Sequence, residues 1–300
     1  MQKLISFAPA SHRINYLFQR YVTGGIVINE RFVHDKLIHL RDHLAGYREF
    51  AGQAHPRTTL ELGTGWYPVI PIGLFLAGAE SIHSVDITPL VDRDRVVTTM
   101  DAILDHHRAG RLGEYFEPLP DRMDALEEMR LGAGETPLLE LLRGLNIHLL
   151  VTDARRLPLA DGSIDLVTSN NTLEHVTADA LVDILREFAR LSHPGTVMSH
   201  FIDMSDHFAH LDKSIDIYNF LRFSDAQWRL IDNSVQPQNR LRYGDYLSMY
   251  AELGLPILRE FHRPGDVRAL ETAPLARRFR SRPREELAIS HCHIYSGPPA

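Results

Sequence analysis

The stretch from Arg57 to Leu90, RTTLELGTGWYPVIPIGLFLAGAESIHSVDITPL, constrains this chain more than any other. Thr58 to Leu62 is a short apolar run with β-branched residues. It stops at Gly63-Thr64-Gly65, and the apolar residues that follow recur at helical spacing. The pattern predicts a strand, a tight turn and a helix. Ser81 to Ile87 reads as a second strand with Asp86 near its end. In a parallel sheet the carboxyl ends of neighbouring strands share one edge, so an acid there can reach the hydroxyls of a ribose lying over the glycine turn. The third glycine of a dinucleotide fingerprint is replaced by Pro68, and no Gly-Lys-Ser/Thr follows as a triphosphate loop requires.

Glu61, just before the first glycine, repels phosphate but suits a ligand carrying ammonium or sulfonium charge. Glu-Leu-Gly-Thr-Gly followed by an acid after the second strand resembles the class I, seven-strand, Rossmann-like methyltransferases that use S-adenosylmethionine (SAM). The resemblance strengthens at Asp153-Ala154, followed by Leu157 to Val167 (LPLADGSIDLV), and at Leu173-Glu174-His175. It covers about Arg57 to Gly195 closely and the remainder only by topology. It implies that Glu61, Gly63, Thr64, Gly65, Asp86 and Ile87 line the cofactor. It also implies that Asp153 accepts from the adenine amino group, that Ala154 offers its backbone to the ring, and that Asn170 or Asn171 holds the methionine part.

The 300 residues, 44% of them hydrophobic, suffice for one large domain with insertions. A net charge of -7 argues against a surface that tracks nucleic-acid phosphates. The single cysteine, Cys292, rules out an intrachain disulfide and fits a reducing compartment. With no apolar run of spanning length and no secretory h-region, a cytoplasmic protein without membrane contact is expected. Most of the 17 histidines, including His12, His34, His39, His43, His106, His107 and His148, read as solvated or simply hydrogen-bonded imidazoles.

In chain order, residues 1–55 form a helical preamble, expected either to cover the cofactor or to pack on the sheet. Ile14, Leu17, Phe18 and Tyr21 mark one helix before Gly24-Gly25. A second spans Glu30 to Phe50 with Val33, Leu37, Leu40, Leu44 and Tyr47 as its apolar stripe. Residues 56–300 form the SAM-binding domain, with insertions at about 90–145 and 203–245. Helices are expected to begin near Val91 and Asp121, and strands at Ile147 to Val151 and Ile164 to Thr168. They are followed by an amphipathic helix at Ala178 to Leu191, a strand at Thr196 to Ile202 and a helix at Tyr243 to Leu253. The last strands are Ile257 to Phe261 and Leu287 to Ser296, with the arginines of 277–284 between them as an exposed loop. Tyr218, Phe220, Phe223 and Trp228 read as the core of a subdomain, with a pocket wall as the alternative. The fold class is α/β: a doubly wound, mostly parallel seven-strand sheet with an antiparallel last strand.

The expected activity is SAM-dependent transfer of a methyl group to an oxygen or nitrogen of a small-molecule acceptor. A phenol or amine must lose a proton, and His200, His207 and His175 are the candidate bases, in that order. His200, Asp203, Asp206, His207, His210 and Asp212 are ligand-type residues in a short span. They lack the H-E-x-x-H spacing and any cysteine, so no metal site is expected. A homodimer is left open, as are another SAM reaction such as cyclisation, a nicotinamide oxidoreductase and a non-catalytic SAM-binding partner.

Overall fold

A computed structural model describes residues 28–232 and 237–299; the helix expected around Ile14 to Tyr21 lies outside them. Asn29 opens helix α1 (Glu30–Ala51), its side chain accepting from the Phe32 N–H at 2.9 Å, and Gly52 closes the helix in the left-handed region. The stripe Val33, Leu37, Leu40, Leu44 and Tyr47 is buried against the sheet, as its spacing predicts. Strand β1 (Thr58–Leu62) leads through the glycine turn into the fully buried α2 (Val69–Leu76) and then β2 (Ser81–Asp86). The segment between β2 and the next strand supplies α3 (Arg93–Arg108), α4 (Pro120–Gly132) and α5 (Leu138–Gly144). After β3 (Ile147–Val151) and β4 (Ile164–Asn170) comes α6 (Ala178–Leu191), which has the bounds its amphipathic pattern predicts.

Strand β5 (Ser192–Asp203) is longer than expected. It takes in His193-Pro194-Gly195, and its pairing with β4 slips between Ile164 and Leu166. The segment after β5 carries α7 (Phe208–Leu211) and α8 (Asp225–Ile231) ahead of α9 (Tyr243–Glu252) and β6 (Ile257–Arg263). Then follow α10 (Val267–Glu271), α11 (Arg284–Ala288) and β7 (His291–Ser296). Leu287 and Ala288, expected at the start of the last strand, lie instead at the end of α11 and are buried. The arginine run is not a free loop either: Phe279 is buried, Arg278 reaches Asp225 at 2.8 Å, and Arg282 pairs with Asp245.

The sheet order is β3-β2-β1-β4-β5-β7-β6. β1 to β5 pair in parallel, and β7 is inserted antiparallel between β5 and β6. Helices α1 to α5 fill one face with a single apolar cluster, and α6 and α9 cover the other. Burial on both faces explains why the inner strands read as near-continuous apolar runs. Tyr218, Phe220 and Trp228 pack with Leu270, Phe279 and Leu287 in a third cluster, so these rings form the core of a subdomain. Arg242 joins that subdomain to the sheet: it is fully buried, and its guanidinium donates to the Leu287 carbonyl at 2.8 Å and to those of Met204 and Ile289. Among the described residues no helix is long and apolar enough to cross a membrane.

Candidate active site

Strand order reverses between β1 and β4, and an open α/β sheet presents its ligand crevice outside the carboxyl ends of strands at such a point. At the end of β1, Gly63 and Gly65 have φ of 83° and 67°, values that favour glycine. The Gly63 N–H donates to the Val85 carbonyl at 2.8 Å, and Asp86 Oδ2 accepts from the Gly65 N–H at 3.2 Å. The other Asp86 oxygen accepts from Thr88 N–H at 3.0 Å, so the carboxylate is fixed over the turn. Ile87 falls just past the strand and is 77% exposed. Glu61 is buried behind the turn, where Ser84 Oγ donates to it at 3.1 Å and Thr64 Oγ1 lies 2.6 Å from Ser84. Burial pushes the Glu61 carboxyl up, against the pull of Lys36 and the Ser84 hydrogen bond.

On the far side of β2, Asp153 accepts from the Arg155 backbone N–H at 3.0 Å and pairs with its guanidinium, which holds the carboxyl below its usual range. Ala154 is buried beside it. Asn170 ends β4 with its side chain buried, and Asn171 follows with φ of 51° on an exposed turn. The next turn, Leu173–His175, buries Glu174 to 2% exposure with neither carboxylate oxygen hydrogen-bonded. Burial and nearby Asp203 push that carboxyl well up.

The three candidate bases part company. His200 lies inside β5, opposite Ser169 of β4, fully buried and stacked on Phe188 of α6. Its Nδ1 is 2.7 Å from Ser169 Oγ, and burial pulls its pKa down to about 3. His175 and His207 come together past the ends of β4 and β5, ring centroids 4.9 Å apart. His175 Nδ1 lies 2.6 Å from the Pro237 carbonyl, and burial with His207 nearby lowers its pKa to about 4. Asp203 stands between His207 and His291, with nitrogen–oxygen distances of 3.4 Å to each. Burial opposes ionisation of Asp203, but the two imidazoles outweigh it and hold the carboxyl well below its usual range. Asp206 is engaged with the Phe208 N–H and Asn219, and Asp212 with Ser214, so both cap local turns.

Helix α1 contributes residues that no motif announced. His43, fully buried, bonds Ser199 Oγ through Nδ1 at 2.7 Å and Asn170 Oδ1 through Nε2 at 3.0 Å. His293 Nε2 lies 2.8 Å from the same Ser199 oxygen. With both imidazoles neutral the chain is satisfied in one direction: His293 N–H donates to Ser199, Ser199 O–H to His43, and His43 N–H to Asn170. That leaves the Asn170 amide N–H groups, buried and unpartnered, to donate elsewhere. Lys36, one turn N-terminal of Leu40, is attracted by Glu61 and Glu174, while burial pulls its pKa down. A signal for these residues was present: Lys36, His39 and His43 recur at intervals of three and four along the apolar stripe of α1. A cavity of about 730 Å³ opens between α1 and β5, β6 and β7, lined by His39, Phe201, Phe261, Arg263, His291 and His293 among others.

The family model described as "Methyltransferase domain" matches residues 115–199, a segment that begins after the glycine turn. No curated protein sequence matches the chain. Among solved structures, the PH0226 protein from Pyrococcus horikoshii OT3 aligns over 94% of this chain and 98% of its own, with TM-score 0.50 and 14% identity. A Galdieria sulphuraria protein assigned as a sarcosine dimethylglycine methyltransferase covers 95% of this chain and 97% of its own, at TM-score 0.49 and 16% identity. The 1,6-didemethyltoxoflavin-N1-methyltransferase of Burkholderia thailandensis, solved with S-adenosylhomocysteine, covers 98% and 92%, at TM-score 0.46 and 12% identity. The seven-strand sheet is the fold of this chain's structural neighbours, and residues 115–199 within it match the methyltransferase-domain family model.

Proposed function

We propose that this enzyme transfers the SAM methyl group to an oxygen or nitrogen of a small molecule held beyond the ends of β4, β5 and β7. The observation carrying this reading is the line of polar groups near one sheet edge: Asp153, Asp86 and Asn170 follow or end β3, β2 and β4, and Glu61 lies one residue before the end of β1. Such a line matches a ligand with adenine at one end, a ribose in the middle and a charged amino acid at the other. Asp153 would take the adenine amino group, Asp86 the ribose hydroxyls and Glu61 the ammonium. The free Asn170 N–H groups would take the carboxylate.

SAM supplies an activated methyl on a sulfonium, so the acceptor lone pair forms the new bond as the carbon–sulfur bond breaks and its electron pair stays on sulfur. The protein's part is alignment, exclusion of water and acceptance of the proton an O–H or N–H acceptor sheds. His207, half-buried and facing the Asp203 carboxylate, is the best-placed base, with His175 second. His200, enclosed between sheet and α6, drops from first place to a structural role.

Calorimetric titration of the full chain with SAM, and separately with NAD, tests the cofactor site. Binding of SAM alone, weakened at least about tenfold by Asp86→Ala through loss of hydrogen bonds to an ionised acceptor, is the expected result. Equal affinity in the variant removes the ribose assignment. An acceptor screen that follows S-adenosylhomocysteine release finds the substrate, and mass spectrometry with NMR of the product locates the methyl; in chelator-stripped protein, loss of turnover without loss of SAM affinity in His207→Ala identifies the base.

A further inference from the structure

We propose that Glu174, His175 and His207 form a binding site for a divalent transition ion, with the ligand preference of zinc, at the acceptor end of the sheet. One potential ligand atom from each of the three lies within 4.8 Å of the others. They converge from two elements: Glu174 and His175 from the turn after β4, His207 from the segment after β5.

The independent observation is Glu174. Its side chain is 2% exposed, and neither oxygen has a hydrogen-bond partner. A carboxylate taken from water without compensation costs several kcal/mol, so buried acids are paired, protonated or bound to a cation. His175 is already arranged as metal-binding histidines are. Its Nδ1–H donates to the Pro237 carbonyl at 2.6 Å, which fixes the tautomer and leaves the Nε2 lone pair for a ligand bond. Asp203, 3.4 Å from His207 Nε2, stands where either a ring-orienting carboxylate or a further oxygen ligand belongs.

Two imidazoles with one carboxylate suit zinc and its late first-row neighbours, whereas magnesium and calcium favour all-oxygen shells. Ligand atoms around a four-coordinate ion lie roughly 3.3 Å apart for bonds of about 2.0–2.1 Å, so the trio closes by small side-chain rotations. The positive group facing Glu174 is Lys36, which gives the carboxylate its competing partner. An ion here would hold an acceptor oxygen as a Lewis acid and lower its proton affinity; His207 is a ligand in the zinc-bound state, and the role of base proposed above belongs to the metal-free protein. The site does not depend on the methyl-transfer reading.

Chelator-stripped full-length protein is titrated with zinc chloride, and in parallel with magnesium chloride, by calorimetry; cobalt(II) absorbance reports coordination by nitrogen ligands. One zinc ion per chain is expected, with magnesium far weaker. Glu174→Gln and His207→Asn should each weaken zinc at least about tenfold, the scale on which site residues tune metal affinity. Both variants should retain SAM affinity and the far-ultraviolet circular dichroism of the parent. As a second measurement, zinc should raise the melting temperature of the parent and not of the variants. No zinc binding by the folded parent overturns the proposal, because Lys36 or a proton then satisfies Glu174. Undiminished binding in His175→Ala/His207→Asn also overturns it, by assigning the ion to other histidines. Loss of SAM binding by the parent would strike the cofactor reading and leave the zinc result standing.

Discussion

Gly63 shows how much one residue settles at this edge. Its φ of 83° lies where side chains are strained, and an added Cβ would sit 2.2 Å from Thr172 Oγ1 on the turn after β4. Gly63→Ala is therefore expected to cost more than about 1 kcal/mol and to force β1 and β4 apart, seen as a lower melting temperature with weaker SAM binding. Unchanged values for both would show that the turn relaxes freely. Residues of this kind were legible because the glycines, Asp86 and Asp153 owe their places to local turn chemistry. His200 was not. β5 runs on to Asp203, three residues past His200, and on a sheet buried on both faces a polar residue inside a strand looks like one at its tip. Lys36, His43 and Glu174 meet only through pairing of distant elements, a relation that spacing along one chain does not encode.

Among the elements, those with strong periodicity followed the pattern closely. α6 and α9 bury regular stripes, and β1 and β3 are bounded by turn residues. The segment from Arg277 to Ala288 defied it because Arg278 and Arg282 pair with specific acids and Leu287 caps a satellite core. Arg242 is the element-level clamp between that satellite core and the sheet. Removing it orphans three carbonyls around a buried centre, so Arg242→Met is expected to destabilise by about 3 kcal/mol or more, read as a lower urea midpoint. A shift below about 0.5 kcal/mol would mean that water enters and replaces the guanidinium.

Across the whole molecule, buried imidazoles set the response to acid. Burial holds His39 and His200 at about 3 and His43 and His83 at about 4, all below the value of about 6.5 they regain on unfolding. Between those values the unfolded chain binds more protons, so stability is complete above pH 6.5 and falls as pH drops toward 4. The melting temperature should decline across that window, and His200→Gln, which keeps a polar contact to Ser169 without the titrating group, should flatten the decline. An identical slope in the variant would assign the acid sensitivity to the other histidines.

The interleaved position of β7 bears on how the chain acquires its shape during synthesis. β5 and β6 are both made before β7, yet in the finished sheet neither touches the other except through it. Until residues 291–296 leave the ribosome, two strands present unpaired backbone edges, and His293 is missing from the hydrogen-bond chain that steadies His43 and Asn170. Nascent chains halted before His291 should therefore hold the β1–β4 half while engaging chaperones through the open β5 edge, and competence to bind ligand should arrive in one late step.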